Sequence, residues 1–563
     1  MTMASKFFSK NSLALFLVVE LSVLCFSATA DNISSTASIC DSTPYPSSCI
    51  SSVPTNYNTT NTNVYNFCQF SIRKSMSNAR KFKLLLEKYL RSSSELTPGA
   101  IRALEDCHLL ADLNMDFLTS SLQSVSTRDL SSSKAEEVET LLSSILTNTQ
   151  TCLDGLQETA STWNQKNGIA TPLANDNKLF SVSLSLFKKG WGHKITEGPS
   201  SPSEKHRAGF KNSRLPLNMS SKNKAIFEKI GRRKLLQTDD GAEVVPIRDL
   251  VIVSKDGSGN FTTINQAVAM APNNSLASDG YFLIYVVAGV YEEYVTIPKN
   301  KKYLMMIGDG INQTVITGNH NVVDGWTTFN SPTFAVVGQG FVGVNITFRN
   351  TAGGIKHQAV AVRNGADQST FYSCSFEGYQ DTLYVHSQRQ YYTKCDIYGT
   401  VDFIFGNAAA VFQNCNIYPR LPLANQFNAI TAQGRIDPNQ NTGISIQNCN
   451  IKAAADLASS DGTTQTYLGR PWKQYSRTIY IQSFMDSLIN PAGWREWSGD
   501  FALSTLYYAE LGNTGPGSVT NERVTWPGFH IITAKEAANF TVSNFLVGDD
   551  WLPQTGVPYS GGL

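Results

Sequence analysis

The sequence predicts two folded units of different class: an all-β, right-handed parallel β-helix over residues 237–563, and an all-α unit containing a helical hairpin over 31–160. Three observations carry this. Short β-type segments recur at steps of about 20 residues in the C-terminal part, apolar residues recur with helix period between 100 and 160, and a strongly basic stretch lies between. Length agrees, since 563 residues exceed what one small domain holds. With 41% hydrophobic and 16% charged residues, 40 Gly, 29 Phe and 22 Tyr, the composition excludes a disordered or coiled-coil chain.

At the N-terminus, Lys6 and Lys10 precede an apolar run from Leu13 to Phe26, and Ala28-Thr29-Ala30 offers small residues for a signal peptidase. The run is interrupted by Glu20 and falls short of the roughly 20 residues a membrane span needs. Residues 1–30 are therefore expected to be a cleaved signal peptide, which makes the protein secreted. Sequons at Asn32, Asn58, Asn218, Asn260, Asn273, Asn312, Asn345 and Asn539 fit a glycoprotein on that route. Loss of Cys25 with the signal leaves an odd number of cysteines, so at least one thiol stays free.

In the helical unit, Leu104, Cys107, Ala111, Leu118 and Leu122 form one apolar stripe, and Val138, Leu142, Ile145, Cys152 and Leu156 a second. The Ser-rich connection Ser124–Ser133 folds them into an antiparallel hairpin, in which Cys107 faces Cys152 and a disulfide is expected. Cys40 and Cys49 bracket the turn Thr43-Pro44-Tyr45-Pro46 and are expected to bridge as well. This layout, with ALEDCHLLADLNMDFL around Cys107, resembles the plant invertase and pectin methylesterase inhibitor family, which implies a four-helix bundle. The resemblance gives Cys68 no partner.

From 161 to 236 the periodicity dissolves. Residues 160–236 hold 15 Lys/Arg against four Asp/Glu, while both flanking parts are acidic. A nucleic-acid surface would need these cations on a folded motif, so a linker is expected and a nucleic-acid partner is not. It ends in Arg232-Arg233-Lys234-Leu235-Leu236, a basic cluster open to a processing protease.

In the C-terminal unit, Val344-Asn345-Ile346, Cys374-Ser375-Phe376, Cys395-Asp396-Ile397, Cys415-Asn416-Ile417 and Cys449-Asn450-Ile451 align with steps of 30, 21, 20 and 34 residues. Coils of this period place equivalent residues on a stack at roughly 4.8 Å. Asp381 in GYQDTLY and Asp402 in GTVDFIFG are also 21 residues apart, so the two carboxylates become neighbours on adjacent coils. Two such acids cannot both ionise cheaply, and the pair divides into a neutral acid and an anionic base or nucleophile. Gln380 beside Asp381, and Gln358 one coil earlier, supply amide donors for a developing oxyanion. Arg470 in LGRPW can hold a carboxylate ionised through a fork, and Trp472 can stack on a sugar ring.

With GVYEE at 289–293, HQAVAVRNGAD at 357–367, GYQDTLY, GTVDFIFG and LGRPW, residues 245–563 are similar to the plant pectin methylesterases. The resemblance implies hydrolysis of homogalacturonan methyl esters in the cell wall, with Asp402 as nucleophile, Asp381 as proton donor, and Gln380 and Gln358 as transition-state stabilisers. It carries over Thr328, Gln358, Arg470 and Trp472 as substrate contacts, and needs no metal or organic cofactor. It implies a monomer that meets inhibitor proteins and a processing subtilase, and a pro-region able to inhibit before cleavage. It favours a Cys395–Cys415 disulfide, where stacking alone allows Cys374–Cys395 equally. A serine hydrolase is disfavoured because no G-x-S-x-G occurs. A glycosidase or lyase on the same fold would differ by cutting the chain rather than releasing methanol.

Overall fold

The computed structural model describes residues 33–53, 62–92, 96–159, 167–196, 217–218 and 245–563. The signal segment, the sequons at Asn32 and Asn58, and the basic cluster Arg232–Leu236 lie outside the described residues. Two short helices, α1 (Thr36–Asp41) and α2 (Pro46–Ser52), lead into four long ones: α3 (Val64–Arg91), α4 (Pro98–Ser124), α5 (Ser132–Glu158) and α6 (Asn167–Thr196). Side-chain caps start three of the long helices, Asn63 accepting from Tyr65 N–H, Thr97 from Ala100 N–H and Ser131 from Lys134 N–H. The predicted stripes are buried, from Leu104, Cys107, Ala111 and Leu118 on α4 to Val138, Leu142, Ile145, Cys152 and Leu156 on α5. Cys107 is bridged to Cys152 with Cα atoms 4.8 Å apart, and Cys40 to Cys49 at 5.4 Å. Cys68 is a buried free thiol.

Helix α6 corrects the expected domain boundary, because the segment assigned to a linker from 161 contains the fourth helix of the bundle. Leu179–Phe187 is buried at every position, as the helix packs on the bundle by one side and on the β unit by the other. Ser183 Oγ lies 2.7 Å from Ser71 Oγ inside the bundle, while Ser181 donates to Asp437 of the β unit. Buried all round, this run alternates Phe180-Ser-Val182-Ser-Leu184-Ser-Leu186 and shows no helix period to read.

Beyond 245 the chain winds into a right-handed parallel β-helix with sheets of seven, eight and eleven strands, the last extended to twelve by Leu217–Asn218, every ladder parallel. The seven-stranded sheet bears the residues of interest. Its relevant strands are β1 (Val362–Asn364), β2 (Leu383–Val385), β3 (Ile404–Gly406), β4 (Asn428–Gln433) and β5 (Thr466–Gly469), hydrogen-bonded in that order. Aromatic side chains stack inside from coil to coil, Phe371 on Tyr392 at 5.3 Å and Tyr392 on Phe412 at 4.6 Å between ring centres.

The aligned repeat holds with one change of register. Ser375 pairs with Asp396, Asp396 with Asn416 and Asn416 with Asn450, which reproduces the steps of 21, 20 and 34. Thr347 pairs with Ser375, so Ile346 rather than Val344 stacks with Cys374 and the first step is 28 residues. The reason lies at the corners, where Asn345, Ser373, Lys394, Asn414 and Asn448 all take left-handed backbone. The apolar residue after each corner turns inward, and in the first coil that residue is Ile346.

The expected Cys395–Cys415 disulfide is not formed. Cys374, Cys395, Cys415 and Cys449 are all buried free thiols on successive coils. In-register stacking makes the three neighbouring pairs equivalent, each thiol having a like neighbour on the next coil, so the repeat singles out no one pair for a bridge. Each sulfur turns to main-chain carbonyls, Cys395 Sγ to Phe371 O and Thr393 O at 3.4 Å, and Cys415 Sγ to Tyr392 O and Gln413 O at 3.6 Å.

Candidate active site

Asp381 and Asp402 each stand two residues ahead of a strand, β2 and β3, whose register pairs Leu383 with Ile404. Both acids adopt left-handed backbone, at φ 62° and 53°, an uncommon conformation for non-glycine residues that clusters at functional sites. The turn aims both carboxylates off the edge of the sheet into one cleft. Ala359 N–H donates to Gln380 O at 3.2 Å and Asp381 N–H to Val401 O at 3.1 Å, which stacks the coils bearing Gln358, the Gln380-Asp381 pair and Asp402.

Arg470 enters from the end of β5. Its Nε donates to Asp402 Oδ1 at 2.8 Å and its Nη2 to Asp402 Oδ2 at 2.7 Å, a bidentate fork. Gly469 permits this approach, since a Cβ there would lie 2.1 Å from Thr431 Oγ1. The guanidinium is covered by the Trp497 ring at 4.1 Å and the Phe427 ring at 5.2 Å. Trp472 lies over Gly434, where a Cβ would come within 2.8 Å of its ring.

These residues share one cavity of about 200 Å³, into which Thr328, Gln358, Gln380, Asp381, Asp402, Arg470 and Trp472 all project. The catalytic and substrate-contact residues expected from the sequence are therefore brought together, while the processing segment lies outside the described residues. Trp497, Tyr384, Phe405 and Phe329 also line it from the β-helix side and were not singled out from sequence. Tyr384 and Phe405 were legible in principle, as neighbours of the two acids on β2 and β3. Trp497 sits in an irregular loop, and no spacing marks it.

Burial raises the pKa of both acids, but unequally. Asp381 stands well above the ordinary carboxylate range, through desolvation first and the nearby Asp402 second. Asp402 is raised by desolvation too, and the Arg470 fork opposes that shift. The pair therefore holds its proton on Asp381 and its charge on Asp402.

The opposite wall of the cavity belongs to the helical bundle. Thr151, Asp154, Gly155 and Glu158 of α5 line it, so the helix lies across the cleft. Around the cavity, Asn407 Nδ2 donates to Thr147 Oγ1 at 2.9 Å, Gln440 Nε2 to Ser143 O at 2.8 Å, and Thr151 Oγ1 meets His386 Nε2 at 3.0 Å. Lys473 Nζ pairs with Asp154 Oδ1 at 2.8 Å. Arg102 of α4 stacks on Trp326 at 4.2 Å.

The pectinesterase family profile matches residues 250–549, and that of the plant invertase/pectin methylesterase inhibitors matches 34–186. A probable pectinesterase/pectinesterase inhibitor of Arabidopsis thaliana is 57% identical over 98% of this chain and 99% of its own. Pectinesterase 2 of Citrus sinensis is 49% identical over 82% of each chain. Among solved structures, pectin methylesterase from carrot is 52% identical, covering 58% of this chain and 100% of its own with a TM-score of 0.55. The chain belongs to the pectinesterase family, a pectin methylesterase whose catalytic β-helix carries an inhibitor-like helical bundle ahead of it.

Proposed function

We propose that this enzyme hydrolyses pectin methyl esters through a covalent intermediate on Asp402, and that the helical bundle holds it inactive until the two units separate. The observation that carries the first part is the Arg470 fork, which keeps Asp402 an anion beside a protonated Asp381. An Asp402 oxygen attacks the ester carbonyl carbon of a galacturonate methyl ester, and the developing oxyanion takes hydrogen bonds from the amides of Gln358 and Gln380. The bond to methoxide breaks as Asp381 gives it a proton, so methanol leaves and a mixed anhydride remains. Asp381, now ionised, takes a proton from water, whose oxygen attacks the acyl carbon. The product acid departs and gives its remaining proton to solvent, and Asp402 is again an anion paired with Arg470. Thr328 and Trp472 hold the sugar chain, the indole by stacking.

Helix α5 supports the second part, since its wall of the cavity occupies space a polysaccharide would need. A tethered bundle acts at high effective concentration, so modest contacts suffice. On this reading the chain is secreted, is cut at Arg232-Arg233-Lys234-Leu235-Leu236 by a subtilase, and acts as a monomer in the cell wall. Proteins of the inhibitor family would compete there for the cleft that α5 vacates. Among the described residues no helix is long and apolar enough to cross a membrane.

The test is Asp402→Ala in the β-helix unit. It should release no methanol from esterified pectin while still binding the polymer, and near-normal turnover would remove Asp402 from the nucleophile's role.

A further inference from the structure

Trp497 lies on the Arg470 guanidinium at 4.1 Å and borders the cavity, yet it belongs to no strand. Its loop is held by a buried ion pair beyond the cleft. Arg523 Nε donates to Glu510 Oε1 at 2.8 Å and its Nη2 to Oε2 at 3.3 Å, with the two side chains 1% and 2% exposed. The same guanidinium serves two main-chain carbonyls, Nη1 donating to Pro491 O at 2.9 Å and Nη2 to Gly517 O at 2.7 Å. Glu510 stands on the strand Tyr507–Leu511, so the pair ties the loop that starts at Pro491 to the body of the β-helix.

From Pro491 the loop runs straight to the site. Gly493, at φ 71°, passes so close that a Cβ would come within 2.4 Å of Arg523 Cδ. Trp494 Nε1 donates to Glu510 Oε1 at 3.3 Å, and its ring stacks on Tyr508 at 4.1 Å. Leu468 N–H donates to Gly493 O at 2.7 Å and Arg495 N–H to Gly469 O at 3.0 Å, which fastens the loop to β5, the strand that delivers Arg470. Two residues further on, Trp497 covers the guanidinium. Arg495 packs on Phe427 at 4.0 Å, and Phe427 is the other ring beside Arg470. A buried ion pair adds little net stability, because desolvation offsets its attraction. The planar Arg523 fork instead fixes where two irregular segments lie.

We propose that Arg523 and Glu510 are a positioning pair for the reaction: they hold the loop 491–497 in register with β5 and, through Trp497 and Arg495, keep the Arg470 fork aligned on Asp402. This rests on the reading of Asp402 as the anion of the acid pair. Neither Arg523 nor Glu510 is among the residues lining the cavity, so both act through Arg470. With the loop loosened, water reaches the guanidinium and its two bonds to Asp402 lose their fixed geometry. The fork opposes the rise that burial imposes on the Asp402 pKa, so a weaker fork raises the pH at which the Asp381–Asp402 pair first ionises. The Tyr508 phenol, raised by its own burial, also faces Asp402 and stays neutral across that range. Glu158 of α5, the other acid near Asp381, is absent from the β-helix unit.

The β-helix unit can be tested alone, because the carrot enzyme structure corresponds to this unit over its whole length at 52% identity. Arg523→Lys keeps the charge beside Glu510 but cannot serve both carbonyls. Methanol release from methyl-esterified oligogalacturonides should show kcat about tenfold lower, KM within about twofold, and the acid limb of the pH profile displaced upward by about half a unit. Trp497→Leu alone should displace the limb by a similar amount, and adding Arg523→Lys to it should move the limb no further. A folded Arg523→Lys unit with unchanged kcat and acid limb overturns the proposal and leaves the ion pair as a structural tie. A displacement that adds in full to that of Trp497→Leu overturns it too. Should Arg523→Lys fail to fold, Arg523→Met with Glu510→Met removes both charges together and is read in the same way. An unmoved limb in Trp497→Leu overturns the proposal by itself. An unsubstituted unit that releases no methanol overturns the reading of the cleft, and the proposal with it, before any variant is compared.

Discussion

The two walls of the cleft are built on opposite terms. On the β-helix wall Asp402 draws its cation from its own unit, through Arg470, and Asp381 rests as the protonated partner. On the helical wall Asp154 takes its cation from across the cleft, through Lys473, and leaves one oxygen unpaired. One wall is complete without the other, while on the second Asp154 meets its cation only when the bundle is docked. The difference separates a catalytic site from something placed over it.

The largest expected effects lie on the self-sufficient wall. Asp402→Ala in the β-helix unit should lower turnover by about four orders of magnitude or more, as loss of a nucleophile does. Arg470→Lys keeps the charge and loses the fork, so turnover should fall by roughly a hundredfold, because the anion on Asp402 is no longer held in one orientation. Steady-state methanol release checks both. If Arg470→Lys retained full activity, the fork would be dispensable and the contrast between the walls would weaken.

The helical wall should respond to pH. Asp106 of α4 is buried against Thr327 with its pKa pushed up to about 7, by desolvation first. Arg363 opposes that shift, while Glu105 and Glu158 add to it. Glu136 of α5 is also pushed up to about 7, again by desolvation and then by Glu139, with Arg389, Asn441 and Lys188 opposing. When the bundle is undocked these carboxyls regain water and an ordinary pKa near 4. A pKa raised by docking means that docking takes up protons, so the contact is strongest at low pH and weakens as pH rises from about 4 through 7. The full chain should become more susceptible to proteolysis between its units across that range, and Asp106→Asn should flatten the dependence. A contact that tightens with rising pH would reverse the sign argued here.

Smaller effects sharpen the contrast in how the units are held together. The helical unit is stapled by Cys40–Cys49 and Cys107–Cys152, whereas the β-helix stacks Cys374, Cys395, Cys415 and Cys449 as thiols. Alkylation of unreduced, denatured protein should label Cys395 and Cys415, and a linked pair of peptides from these positions would reinstate the bridge. Ser131→Ala removes the cap of α5 and should cost about 1 kcal/mol of bundle stability in chemical denaturation.

The same contrast governs what could be read from sequence. In the β-helix one geometric rule repeats, so the 21-residue step shared by Cys374–Cys395 and Asp381–Asp402 placed both acids on adjacent coils. The register slip at Val344 arose because alternation of apolar residues does not reveal which residue turns the corner, and Asn345 does. Arg470 was legible from its motif, but Trp497 and the reach of Lys473 come from loops off the coil, where spacing carries no information. In the bundle the hairpin of α4 and α5 was plain from its stripes. Helix α6 was not, because packing on two sides removed the polar face that gives a helix its period.

The central claim is that an already complete catalytic wall is silenced by the helices docked on it. It is tested most directly by building a selective protease site into the segment between 197 and 244 and measuring methanol release from esterified pectin before and after cutting, at a dilution that lets the units part. The account predicts little release from the intact chain and a rise of at least about tenfold once the units are cut and diluted, as the tethered concentration is lost. An intact chain as active as the separated β-helix unit would contradict it.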